Sequence, residues 1–131
     1  MFVVMKLTLG KQERLKSRKL IEQLYTQGNS VKKFPLRMVY LQTEHDSNYP
    51  VQFGVSVPKR KFKRAVDRNR IKRLIRESYR LQKKIVYSSV DKPYVFMISY
   101  LAKEEWDYAK IEHSMQKLLQ LFIDKVSEHE K

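Results

Sequence analysis

The sequence predicts a single-domain α+β sandwich built on one sheet, with elements in the order α-β-β-β-α-β-α. Three observations lead there. Residues 51–57 alternate apolar and polar, and residues 94–101 run almost continuously apolar, both at strand length. Residues 65–84 and 104–126 repeat apolar side chains with the period of a helix. The 131 residues, 42% hydrophobic and 11% aromatic, show no internal repeat and no linker, which suits one folded domain over residues 1–131 with flexible ends at about 1–10 and 127–131.

The elements follow in order. Residues 17–25 read as a short helix, with Leu20, Ile21 and Leu24 on one face, Ser17 as N-cap and Gly28 as stop. Residues 31–43 read as strand, interrupted at Phe34-Pro35 because proline has no N–H for a sheet ladder. Residues 44–50 are polar turn chemistry, and the next strand puts Val51, Phe53, Val55 and Val57 on one face. The first long helix carries a stripe of Ile71, Leu74, Ile75 and Ser78. A buried strand follows Pro93. The last helix starts near Glu104, with Glu104, Glu105 and Asp107 close to the positive end of its dipole. Its core face is Ile111, Met115, Leu118, Leu119, Phe122, Ile123 and Val126, and Trp106 is also expected in the core.

Charge narrows the function. The formal net charge is +14, and residues 59–84 alone carry thirteen Lys/Arg against Asp67 and Glu77, a local charge of +11. An internal segment with apolar residues at helical spacing is not a solvated tail, so its polar faces call for a polyanion. On a helical wheel Arg68, Lys72, Arg76 and Tyr79 fall on one flank, Asn69, Arg73 and Arg80 on the back, and Arg70 on the other flank. Guanidinium groups match phosphate oxygens bidentately, and Asn69 suits a 2′-hydroxyl or base edge.

Other chemistries are poorly represented. With no cysteine there are no disulfides, thiol nucleophiles or thiolate zinc sites. His45, His113 and His129 lack metal-ligand spacing and read as surface residues. Asp67 and Glu77 read as ion-pair partners of neighbouring basic residues, and no acidic cluster or paired base suggests an autonomous nuclease site. The apolar start MFVVM, followed by Lys6, is too short for a signal peptide, and no run is long enough to span a bilayer. A cytoplasmic protein is expected.

The run Phe62-Lys63-Arg64-Ala65-Val66-Asp67-Arg68-Asn69-Arg70-Ile71-Lys72-Arg73-Leu74-Ile75-Arg76-Glu77 resembles the signature of the protein subunit of bacterial ribonuclease P. The preceding Gly54-Val55-Ser56-Val57-Pro58-Lys59-Arg60 fits that family's strand, and Arg14-Leu15-Lys16-Ser17-Arg18-Lys19 with Ile21, Tyr25 and Gly28 fits its first helix. The likeness covers about residues 14–123. Two departures stand out: Phe62-Lys63-Arg64 replaces a segment that often has glycine before the Ala-Val pair, and Ile21 stands where phenylalanine is common.

The resemblance implies a mainly antiparallel sheet of the ribosomal protein S5 domain 2-like kind, with a left-handed crossover around the basic helix. It implies two partners, the ribonuclease P catalytic RNA and precursor tRNA, and 5′-leader removal performed by the RNA. No cofactor is expected on the protein alone, and Mg2+ is required by the RNA–protein complex. Contacts to the catalytic RNA fall to Lys59, Arg60, Lys61, Lys63, Arg64, Arg68, Asn69, Arg70, Lys72, Arg73 and Arg76. The single-stranded leader falls to Arg14, Lys16, Arg18, Ile21, Tyr25, Tyr40, Phe53 and Ser56. Tyr25, Tyr40 and Phe53 are each open to two readings, a face for stacking bases or a core aromatic. The rival functions are a ribosomal-type RNA-binding protein, then a DNA-binding regulator without a recognisable helix-turn-helix, then a polybasic membrane-surface helix; neither DNA nor membrane is expected as a partner.

Overall fold

Capping and sterics set the first helix. Ser17 Oγ accepts the Leu20 N–H at 3.2 Å and opens α1 (Arg18–Gln27); Gly28 closes it by donating its N–H to Leu24 O at 2.8 Å. A Cβ on Gly28 would come within 2.4 Å of Leu24 O and 2.9 Å of Tyr40 O, so only glycine lets the helix end lie against the sheet. In the computed structural model of the protein, residues 10–130 are described, with side chains as far as Ser127.

A 3-10 turn (Lys11–Glu13) precedes α1; β1 (Asn29–Lys33), β2 (Leu36–Gln42), β3 (Val51–Ser56), α2 (Ala65–Tyr87), β4 (Tyr94–Tyr100) and α3 (Tyr108–Glu130) follow. The strand break falls at Phe34-Pro35, a cis peptide between β1 and β2. Sheet order is β1-β2-β4-β3. β1 with β2 and β2 with β4 are antiparallel, whereas β3 and β4 are parallel neighbours joined through α2, the long connection that a parallel pair needs.

Strand alternation gives the sheet two unequal faces. Tyr40, Phe53, Phe96, Ile98 and Tyr100 point toward α2 and α3, where Ile71, Ile75, Leu118, Leu119 and Phe122 complete the main core. Aromatic edges organise it, with Phe122 meeting Tyr40, Tyr94 and Phe96 at centroid distances of 4.9, 5.3 and 4.6 Å. The other face carries Val39, Val95 and Met97 against Leu15 and Leu24, with Leu20, Ile21 and Leu41 at its margin. Among the described residues, one short helix covers part of that face.

Several sequence expectations need correction. α3 begins at Tyr108, so Glu104 and Glu105 precede it; Asp107 sits at its start, accepting the Lys110 N–H at 3.0 Å. Trp106 is half-buried and meets Phe34 edge-on at 5.6 Å, so it borders the core. Tyr79, placed on the basic flank by the wheel, is fully buried and stacks on Phe53 at 4.1 Å. Lys83, counted with the phosphate-facing charge, is also fully buried. The buried arc of α2 is therefore wider than the Ile71 stripe and is displaced toward Tyr79 and Lys83. Helix α3 runs to Glu130, four residues past the Val126 end expected for it, and residues 1–9 and 131, with the MFVVM start, lie outside the described residues.

Candidate nucleic-acid interface

Two basic surfaces emerge, and the charges on them are not equivalent. The first is the solvent side of α2 with the loop before it. Arg68 donates to the carbonyls of Phe62 and Lys63 at 2.8 and 2.9 Å, bracing the loop before α2. Lys61 donates to Leu101 O. Arg64 and Arg70 both clasp Asp67, at 2.9 and 2.6 Å, and Arg70 reaches Glu105 at 2.8 Å. These bonds raise both guanidinium pKa values, and they hold Asp67 below the usual carboxylate range, chiefly through the Arg64 hydrogen bond. Glu77 is likewise lowered by Arg80. Lys59, Arg60, Lys63, Asn69, Lys72 and Arg73 have no side-chain hydrogen bond or ion pair among the described residues. They form the open part of the basic surface, and Arg73 and Asn69 project farthest from the core stripe.

The second surface is a cleft of about 310 Å³ between the start of α1 and the open part of the sheet. Leu15, Gly54 and Met97 form its apolar floor, with Arg14, Lys16, Ile21 and Arg76 around it. The segment that supplies Arg14 is fixed by backbone pairing: Arg14 bridges Phe53, and Leu15 N–H donates to Phe53 O at 2.9 Å. Arg76 was expected on the catalytic-RNA surface, but its half-buried side chain lines this cleft beside Arg14. Burial first, and then the Arg14 charge, lower its pKa. Two guanidiniums converge on one concavity without an acidic partner among the described residues, a geometry suited to a phosphate.

The aromatic candidates separate cleanly. Tyr25 is 51% exposed and lies one turn beyond Ile21 on the same side of α1. Tyr40 and Phe53 are 6% and 2% exposed, and their rings pack against Phe122 and Tyr79 on the opposite side of the sheet. Their rings take the core reading of the two that the sequence left open, and Phe53 still contributes to the lining of the cleft. Their even spacing from core positions is the signal that already pointed inward. Arg18 is exposed but outside the cleft lining.

Register reveals a polar row that sequence reasoning missed. Ser99 pairs with Arg37 on β2 and with Ser56 on β3, and all three lie on the sheet face that carries Val39, Met97 and Gly54. Ser56 was expected here; Arg37 was not. Its signal was present as the lone charge in the apolar strand LRMVYL. Among the described residues no group of three or more His, Asp or Glu side chains is arranged to hold a metal ion, and no helix is long and apolar enough to cross a membrane.

Known proteins resemble the chain in both sequence and fold. A family model described as Ribonuclease P matches residues 9–122. The ribonuclease P protein component of Porphyromonas gingivalis is 39% identical over 115 residues, covering 85% of this chain and 83% of that protein. The protein component of Syntrophus aciditrophicus is 42% identical over 86 residues, covering 66% and 69%. Among solved structures, the Staphylococcus aureus RNase P protein superposes with a TM-score of 0.66 at 23% identity, over 83% of this chain and 94% of that one. The Thermotoga maritima RNase P protein gives 0.65 at 22% identity, over 82% and 94%. Those two likenesses establish the shared fold, and the family match with the P. gingivalis relative establishes descent: the chain belongs to the ribonuclease P protein family.

Proposed function

We propose that the chain binds a ribonuclease P catalytic RNA through the outer side of α2 and holds the single-stranded 5′ leader of precursor tRNA in the cleft beside α1. The observation that carries this reading is the division of basic residues between an open helix surface and a groove. Lys59, Arg60, Lys63 and Arg73 are open to solvent and Lys72 partly so, whereas Arg14, Lys16 and Arg76 converge on a groove with an apolar floor. An extended surface of unpaired cations fits a structured RNA backbone, and a narrow groove with an exposed aromatic at its margin fits a single strand. Tyr25 supplies a sequence-tolerant stacking face, which suits leaders of varied sequence.

Cleavage itself is assigned to the RNA, with Mg2+ held by the RNA–protein complex. The protein's contribution is electrostatic and positional: neutralising phosphate repulsion lowers the cation demand of assembly, and gripping the leader favours precursor over mature product. Purified protein, mixed with a bacterial ribonuclease P RNA and a precursor tRNA at low magnesium, is expected to restore 5′-leader cleavage. Tight RNA binding without any gain in cleavage would instead identify a ribosomal-type RNA-binding protein.

A further inference from the structure

A fully buried ion pair lies behind the cleft. Lys83 Nζ is 2.6 Å from Glu13 Oε2, and the two side chains are 0% and 2% exposed. The same carboxylate accepts the Tyr87 hydroxyl through Oε2 and the Gly10 N–H through Oε1 at 3.1 Å. Lys83 also lies 5.5 Å from the Tyr87 ring centroid. Burial drives the Tyr87 hydroxyl pKa upward, keeping it a proton donor to the carboxylate. Glu13 thus ties the segment before α1 to α2 across 70 residues of sequence.

A buried pair of this kind is weak evidence for stability, because desolvating two charges offsets most of their attraction. Its distinctive property is directional. Only one placement of Glu13 satisfies an ammonium, a phenol and a backbone N–H together. The residues that follow alternate: Glu13 is buried, Arg14 exposed, Leu15 buried with its N–H on Phe53 O, and Lys16 exposed at the cleft. On the other side, Lys83 lies seven residues after Arg76, two helical turns along the same side of α2. The pair therefore joins the two backbone elements that carry Arg14 and Arg76.

We infer that Glu13 and Lys83 are positioning residues for leader recognition: their buried bond sets the spacing of Arg14 and Lys16 against Arg76. Neither touches the RNA. This inference rests on the cleft being the leader site, and the test separates the two.

The test measures affinity of the reconstituted holoenzyme for a long-leader precursor and for mature tRNA, together with the melting temperature of the protein. Arg14→Ala serves as the cleft control. The double variant Glu13→Leu with Lys83→Met removes both charges and keeps apolar volume, so it should melt near the parent. It should nevertheless bind the precursor about tenfold more weakly, with mature tRNA affinity unchanged and a shallower salt dependence for the precursor, by about one unit for a lost phosphate contact. Glu13→Asp keeps both charges but shortens the side chain by one methylene, which shifts the segment carrying Arg14 against α2, and should lose precursor affinity by about threefold. It decides the matter where the double variant melts low. Full precursor affinity in a stable double variant, or in Glu13→Asp where the double variant is unstable, overturns the positioning role provided Arg14→Ala is impaired. An unimpaired Arg14→Ala overturns the cleft reading and the inference with it.

Discussion

The two faces of the sheet are built to different standards of closure. Among the described residues, 24 buried side chains form one continuous aromatic-rich core toward α2 and α3, and five are buried together toward α1. The first face excludes water and sets stability. The second leaves Gly54, Ser56, Arg37 and Ser99 at least partly accessible beside a helix too short to cover them. An incompletely covered sheet face is where a single strand can lie, since it offers a flat floor, hydroxyls and neighbouring cations. The same sheet thus separates folding from recognition by strand alternation alone.

The largest effect should come from the closed face. Phe122→Ala removes a ring that meets Tyr40, Tyr94 and Phe96, and should cost about 3–5 kcal/mol, read as a lower denaturant midpoint and loss of every activity together. Tyr25→Ala, on the open face, should leave stability within about 0.5 kcal/mol and weaken precursor binding by about 1–3 kcal/mol. A parallel loss of melting temperature in Tyr25→Ala would place its ring in the core and erase the contrast.

The basic helix allows a sharper form of the same comparison. Arg73→Ala should weaken binding to the catalytic RNA and reduce the salt slope by about one unit with unchanged melting. Arg68→Ala should lower melting as well, because its guanidinium braces the carbonyls of Phe62 and Lys63; a hydrogen bond to a charged group is worth roughly 1.5–3 kcal/mol, and partial exposure reduces it here. Equal melting temperatures for the two variants would contradict the division between braced and open cations.

The smallest expected effect is a pH dependence. Asp67 titrates below its ordinary value in the folded protein, so its pairing with Arg64 and Arg70 favours the fold above the unfolded carboxylate pKa. That contribution disappears as pH falls through the lowered folded value. Asp67→Asn should therefore lower stability slightly at neutral pH, where the pairing is present, and flatten the acid limb so that variant and parent converge at low pH. A steeper acid limb in the variant would mean that the pairing does not favour the fold.

Much of this architecture was legible because local signals were strong. Ser17 and Gly28 bracket α1, Pro35 splits the first strand, and the alternation of residues 51–57 marks β3. The basic helix and its Ile71 stripe were equally plain. What escaped was set by distant partners. No periodicity argument places a lysine in the core, and Lys83 is there because Glu13, 70 positions away, receives it. Tyr79 is buried because Phe53 lies beneath its ring. Arg76 lines the cleft because the segment carrying Arg14, fixed by its bridge to Phe53, forms the opposite wall there. Apolar Leu81 and Ile85 show the converse, remaining 44% and 41% exposed where no element among the described residues covers them.

The most direct test of the two-surface account is one set of affinities measured on the holoenzyme with a long-leader precursor and with mature tRNA. The parent protein should favour the precursor. Tyr25→Ala should erase most of that preference while assembly with the catalytic RNA is unchanged, and Lys72→Ala with Arg73→Ala should weaken assembly while the preference survives in complexes that form. A precursor preference that survives Tyr25→Ala and falls instead with the α2 variants would contradict the account.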